Sequence, residues 1–201
     1  MRIRQHVNPL KSDFFGIPLT ALELPAGRPV EVELGSAEAW FLMGRAEEVP
    51  QGHYVGVEIR RELAWAANDE SARRGLSNVH CVFANMTVDL PRLFGPASVS
   101  RFHLNFPDPW FKKCQHKRRV MSRALVADLE ALLAPGGEVH VATDIFDIAL
   151  DAMAELEARF TNVAGGWSFL RQSPFQARSR RERQCHDEGT RIWRMAYRAA
   201  R

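Results

Sequence analysis

Five short apolar runs alternating with stretches of helical periodicity constrain this chain more than any other feature. The first, Val30 to Gly35, sets Val30, Val32 and Leu34 against Glu31 and Glu33, the period-two pattern of a strand. Tyr54 to Glu58, Val79 to Phe83, Val99 to Phe106 and Glu138 to Ala142 are the others. The first helical stretch runs from the small residues after Gly35 to Glu48, with Trp40, Phe41 and Gly44 on one side and Pro50 beyond it. A second spans roughly Arg60 to Arg74, with Gly75 as its stop signal. Ser122 caps a third, whose Leu125, Val126, Leu129, Leu132 and Leu133 share one face. A fourth, Phe146 to Phe160, is expected to bury Phe146, Ala149, Leu150, Met153 and Phe160. Two more short strands are expected at Trp167 to Leu170 and Ile192 to Tyr197. Such alternation gives an α/β fold: a mostly parallel sheet with helices on both faces. Glu33, Glu58, Asn85, Asp108 and Asp144 then fall at strand carboxyl ends, along the sheet edge where ligands of open α/β folds bind.

Asp108 stands between Pro107 and Pro109, so a stiff loop presents its carboxylate just beyond the fourth strand. Lys112, Lys113, His116, Lys117, Arg118 and Arg119 follow at once. A fixed carboxylate beside a dense cationic patch fits nucleic acid: phosphates meet the cations, and a base edge meets the acid. The C-terminal stretch from Arg171 to Arg201 adds nine arginines against three acidic residues, a net +6 in a chain of +3. The other 170 residues therefore carry −3, an asymmetry expected of a polyanion binder.

Composition limits the remaining classes. Hydrophobic residues make up 46% of the 201, enough for a core, and no apolar run reaches the ~18 residues of a membrane span. Met1-Arg-Ile-Arg-Gln-His lacks the apolar core of a secretory signal. The cysteines Cys81, Cys114 and Cys185 are isolated and odd in number, which fits a reducing cytoplasm and neither a disulfide framework nor a zinc site. His6, His53, His80, His103, His140 and His186 show no metal-ligand spacing, so no metal is expected. Each of these histidines reads as an ordinary strand or surface residue, and Trp40, Trp65 and Trp167 as core or helix-face packing. Residues 1–29 read as an N-terminal segment and 30–201 as one domain. Oligomeric state stays open between monomer and homodimer.

A tight turn after the first strand with an acid ending the second is a nucleotide-binding device, in which Glu58 accepts both ribose hydroxyls. Gly35-Ser-Ala-Glu-Ala lacks the glycines that a pyrophosphate needs, which disfavours a nicotinamide-dependent oxidoreductase. S-adenosylmethionine has no phosphate, and its sulfonium suits a nearby acid such as Glu33.

With these residues in place, the chain resembles the bacterial tRNA (guanine-N7-)-methyltransferases from about Val30 to Tyr197. The most specific match is Asn105-Phe-Pro-Asp-Pro-Trp110 with Lys112-Lys113 and His116-Lys-Arg-Arg119. Val32-Glu-Leu-Gly35, Gly56-Val-Glu58, Pro135-Gly-Gly137, Ala142-Thr-Asp144, and Ser179 to Glu182 followed by Gly189 and Ile192 support it. The resemblance implies a class I methyltransferase (Rossmann-like) fold with an antiparallel C-terminal strand. It implies S-adenosylmethionine held by Glu33, Gly35, Glu58, Asn85 and Asp108, with Asp108 catalytic. It implies a variable-loop guanine of tRNA held near Lys112, Asp144, Ser179 and Glu182, and the rest of the basic loop on the RNA. Ala37 and Ala39 stand where the family turn has glycines, Asn85 for aspartate, Phe111 for proline, Cys114 for arginine, Gln115 for histidine, Ser179 for threonine and Arg181 for an aromatic residue. These departures raise an alternative, a diverged RNA-binding paralogue with weak or no methyl transfer.

Overall fold

The computed structural model describes residues 7–109 and 120–199. The expected alternation is present. Strands β1 (Val30–Leu34), β2 (His53–Glu58), β3 (Val79–Phe83), β4 (Val99–Asn105), β5 (Leu133–Thr143), β6 (Thr161–Asn162) and β7 (Trp193–Arg198) form one sheet in the order β3-β2-β1-β4-β5-β7-β6. The first five are parallel, and β7 runs antiparallel to both β5 and β6. The chain moves outward from β1 to β3, then returns to lay β4 on the other side of β1. The carboxyl ends of β1 and β4 therefore flank the switch point, where a crevice opens.

Helices α1 (Trp40–Glu48) and α2 (Arg61–Arg73) cover one face; α3 (Leu90–Leu93), α4 (Arg123–Leu132) and α5 (Phe146–Leu156) lie with the other, and α6 (Arg180–Asp187) precedes β7. The larger core layer takes Val30, Val32 and Leu34 of β1 with Leu125, Leu129, Met153 and Leu156 of the helices. The smaller joins Phe41, Leu42, Met43, Tyr54, Ala64, Ala67 and Ala177. Ser122 caps α4 as expected, its Oγ accepting from Leu125 N at 3.3 Å.

Several local expectations are corrected. The alternation in β1 separates an apolar face from a buried polar one, since Glu31 and Glu33 are each only 3% exposed. Strand β4 stops at Asn105, because Phe106 turns to φ 51°. Trp167 to Leu170 is not a strand: only Leu170 N reaches β7, at Arg194 O, and the edge strand is Thr161–Asn162. Phe146 and Leu150, expected inside, are exposed, as are Trp40, Trp65 and Trp167. Cations, not core, cover two of these indoles: Arg74 and Arg183 lie over Trp40, and Arg61 over Trp65. The short α3 and the helix α6 were not anticipated. Ser179-Arg-Arg-Glu182 is nonetheless a capping-box sequence, and Ser179 Oγ does accept from Glu182 N at 3.2 Å.

Candidate active site

A cavity of about 530 Å³ opens at the switch point, within the usual size for a small-molecule site. All five expected cofactor residues line it, from four strand ends: Glu33 near the end of β1 with Gly35 just after it, Glu58 at the end of β2, Asn85 after β3 and Asp108 after β4. Val7 and Pro9 close one side, and Ser179, Arg180, Arg181 and Gln184 another.

The turn between β1 and α1 is built by alternating left-handed residues: Gly35 at φ 75°, Ala37 at 48° and Ala39 at 55°. The two alanines thus take the backbone that glycine adopts freely, at a cost of roughly 1–2 kcal/mol each. Gly35 N donates to Val57 O at 2.8 Å and Ala37 N to Glu58 Oε2 at 2.8 Å, which ties the turn to the end of β2. Gly56 permits this approach, because a Cβ there would meet Ser36 Oγ at 2.5 Å. The Glu58 carboxylate is saturated by the chain itself. Oε1 accepts from Arg60 N at 2.9 Å and Nε at 2.7 Å, and Oε2 from Ala37 N and from Arg60 Nη2 at 3.0 Å.

Glu33 is the opposite case. Its Oε1 accepts from Asn105 Nδ2 at 2.8 Å, while Oε2 is buried without a partner among the described residues. Burial pushes its carboxyl up to about 8; the Asn105 hydrogen bond opposes the rise and the Glu58 charge adds to it. A buried, unmatched acceptor in a cavity suits a cationic ligand group, so this donor and acceptor set fits S-adenosylmethionine. Glu33 would face its cationic portion and Glu58 its ribose.

Asn85, fully buried, is saturated by the chain: Nδ2 donates to Pro9 O at 3.0 Å and Phe14 O at 3.3 Å, and Oδ1 accepts from Thr87 N at 3.1 Å and Oγ1 at 2.7 Å.

The expected substrate residues are partly brought together. Asp144, just past β5, pairs with Arg181 Nη2 at 2.5 Å. Glu182 is buried and accepts from Arg194 Nη2 at 2.6 Å, with Arg178 Nε 3.3 Å away. Ser179 and Glu182 thus fix α6, and Arg180, Arg181 and Gln184 reach the cavity. The segment before α6 is clamped to α1. Ala177 N donates to Glu48 Oε1, and a Cβ on Gly44 would lie 3.0 Å from that of Ala177. Lys112, Lys113, His116, Lys117, Arg118 and Arg119, with Trp110, Phe111, Cys114 and Gln115, lie outside the described residues.

Sequence reading missed a second polar cluster deeper in the sheet. Glu31 binds Arg45 through Nη2 at 2.8 Å and Nε at 3.1 Å, Arg101 Nη1 at 2.7 Å, and His103 Nε2 at 2.9 Å. Phe175 packs on His103 and His140, with the guanidiniums of Arg45 and Arg101 over its ring. The sequence signal for it is His103 and His140, a pair of histidines on two of the expected strands. No group able to hold a metal occurs among the described residues, and no described helix is long and apolar enough to cross a membrane.

Comparison with known proteins agrees with this fold. Residues 27–195 match the family described as "Putative methyltransferase". A tRNA (guanine-N(7)-)-methyltransferase of Synechococcus sp. (strain JA-3-3Ab) is 39% identical over 96% of this chain and 84% of its own. The enzyme of that name from Anaeromyxobacter dehalogenans (strain 2CP-C) is 37% identical over 85% of each chain. Among solved structures, a precorrin-6y C5,15-methyltransferase from Geobacter metallireducens superposes with a TM-score of 0.57 at 14% identity, covering 90% of this chain and 82% of that one. A geranyl diphosphate C-methyltransferase from Streptomyces coelicolor, solved with S-adenosyl-L-homocysteine, gives 0.57 at 11% identity over 87% and 72%. These two likenesses speak to fold alone. On a class I methyltransferase fold with its cavity at the sheet's switch point, the chain belongs to the tRNA (guanine-N(7)-)-methyltransferase family.

Proposed function

We propose that this protein transfers the methyl group of S-adenosylmethionine to N7 of a guanine in the variable loop of tRNA. The observation that carries the reading is the convergence of Glu33, Glu58, Asn85 and Asp108 from four strand ends on one cavity, with α6 on its rim. S-adenosylmethionine supplies an electrophilic methyl group when bound. Guanine N7 offers a lone pair and no proton, so the chain needs no strong base and acts by positioning.

In this reading Glu58 accepts the ribose hydroxyls, which requires Arg60 to give up its bonds to that carboxylate. Glu33 faces the cationic portion, Gly35 lets backbone approach, and Asn85 stands at the base end. Asp108 is the catalytic group: held by its prolines, it stabilises positive charge as that charge reaches the base. Asp144 accepts from guanine N1–H and N2–H once Arg181 turns aside, with Ser179 and Glu182 holding α6 in place. Lys112, Lys113, His116, Lys117, Arg118 and Arg119 meet RNA phosphates. Residues 30–201 make up the methyltransferase domain, and residues 1–29 are its N-terminal segment. A cytoplasmic location follows from the substrate. The paralogue alternative draws no support from the turn, since Ala37 and Ala39 hold the φ values expected of glycines.

The test is single-turnover transfer from methyl-labelled cofactor to unmodified tRNA, followed by nucleoside analysis. Wild-type protein should yield 7-methylguanosine. Asp108→Asn should slow transfer by roughly 100-fold with little change in tRNA affinity or stability. Near wild-type transfer in that variant would remove Asp108 from the mechanism.

A further inference from the structure

The sheet order gives the cofactor site a direction. The reacting end belongs near Asp108 beyond β4 and the ribose at Glu58 beyond β2, so the adenine must lie on the far side of the ribose, toward β3. The β3 end is where the N-terminal segment sits. Arg92 Nη2 holds Ile17 O at 2.8 Å, and Leu22 N reaches Leu93 O at 2.9 Å. These bonds strap the segment's far end to α3. Its near end bends over the cavity, where Val7 and Pro9 join the lining.

Asn85 makes the connection. Both of its amide hydrogens go to carbonyls of the segment, and its oxygen is occupied by Thr87. Nothing on this side chain is left for a base. An aspartate here, as in the family pattern, has no hydrogens to donate and would set a carboxylate against two carbonyl oxygens. We propose that residues 7–17 form the adenine-side wall of the cofactor site, and that Asn85 is the positioning residue that docks them, not a hydrogen-bonding partner of the adenine. This rests on the cofactor reading above.

The experiment measures binding of S-adenosylhomocysteine and of 5′-methylthioadenosine, which has the adenine and ribose but no amino-acid tail. Binding to full-length wild type and Asn85→Asp is followed by calorimetry, and tryptic cleavage after Lys11 in parallel. If the variant leaves the wall docked about a tenth of the time, both ligands should weaken by about tenfold. Cleavage after Lys11 should quicken, and ligand should slow it in wild type. Arg92→Lys, outside the cavity, keeps a cation for Asp89, whose other carboxylate oxygen holds Asn85 N, but drops the bond to Ile17 O. It loosens the other end of the strap and should weaken both ligands in the same direction, a check that holds even if Asn85→Asp folds poorly. Unchanged or tighter binding by Asn85→Asp would overturn the proposal, tighter binding marking residue 85 as a direct ligand. A loss confined to S-adenosylhomocysteine would overturn it too. Failure of wild type to bind either ligand would overturn the cofactor reading, and this inference with it.

Discussion

Glu31 and Glu33 sit two residues apart on one strand, on the same face and equally buried, yet they are in opposite chemical states. At Glu31 burial alone would raise the carboxyl, but hydrogen bonds from His103 and Arg45 and the charge of Arg101 outweigh it and hold the group well below the usual carboxylate range. Burial pushes His103 down to about 4, so it stays neutral at pH 7 and donates through Nε2. At Glu33 a single amide answers the carboxylate, one oxygen is unmatched among the described residues, and the proton is retained to about 8. A buried acid whose charge is matched by the chain has the environment of a scaffold group; one left half-matched beside a cavity has the environment of a ligand-site candidate. The alternation of β1 cannot express this difference, since the partners arrive from residues 45, 101, 103 and 105.

The contrast can be broken at each of its two acids, and the turn that follows them can be tested beside it. Glu31→Ala should have the largest effect, about 3–5 kcal/mol lost in urea unfolding, because the buried Arg45 and the partly buried Arg101 lose their shared acceptor and His103 its hydrogen-bond partner. Affinity for S-adenosylhomocysteine, measured well below the unfolding transition, should hardly move; a loss under about 1 kcal/mol would mean that the network is not what secures the centre of the sheet.

Glu33→Gln should act in the other sense, weakening S-adenosylmethionine binding by about tenfold. It should also stabilise the ligand-free protein at pH 8, by up to about 4 kcal/mol for a carboxyl raised from 4.5 to about 8. Between the ordinary value of 4.5 and about 8 the folded Glu33 holds a proton that the unfolded chain has released. Its contribution to stability is therefore complete below the lower value and is lost as pH rises toward the upper one. The glutamine cannot ionise, so its advantage should be seen at pH 8 and vanish near pH 4 in paired thermal scans. An advantage that is equal at both values would rule out the raised carboxyl.

Ala37→Gly should have the smallest effect. Relief of the left-handed backbone exceeds the added chain entropy by about 0.5 kcal/mol, so the midpoint of unfolding should rise slightly with cofactor affinity unchanged. A fall would show that the turn is not strained at this position.

Much of this architecture could be read from periodicity. The five parallel strands and the main helices follow from apolar spacing, and the strand-end acids from their position after each run. What escaped depends on distance in sequence. Phe146 and Leu150 satisfy a helical stripe, yet both are exposed among the described residues, and Phe146 rests against Phe169 and Trp193 instead of entering the core. Trp40 is apolar by type but is held between two arginines that periodicity cannot place. Asn85 was legible as a residue at a strand end, but not as the anchor of a segment more than seventy residues earlier. Helix α6 is signalled by Ser179 and Glu182, but the arginine-rich composition around them draws the reading toward polyanion binding and away from a helix.

The clamp between Gly44 and Ala177 bears on how specificity could be re-engineered. Grafting residues 171–187 from a relative would import a new α6 but leave it resting on this chain's α1. A side chain at position 44 would require residue 177 of the graft to give way, since a Cβ there already lies 3.0 Å from that of Ala177, and loss of Glu48 would free the graft at residue 177. Because α1 begins where the cofactor turn ends, the unit of exchange is the turn, the helix and the distant segment together, and a chimera that crosses between them should be defective in both halves of the reaction.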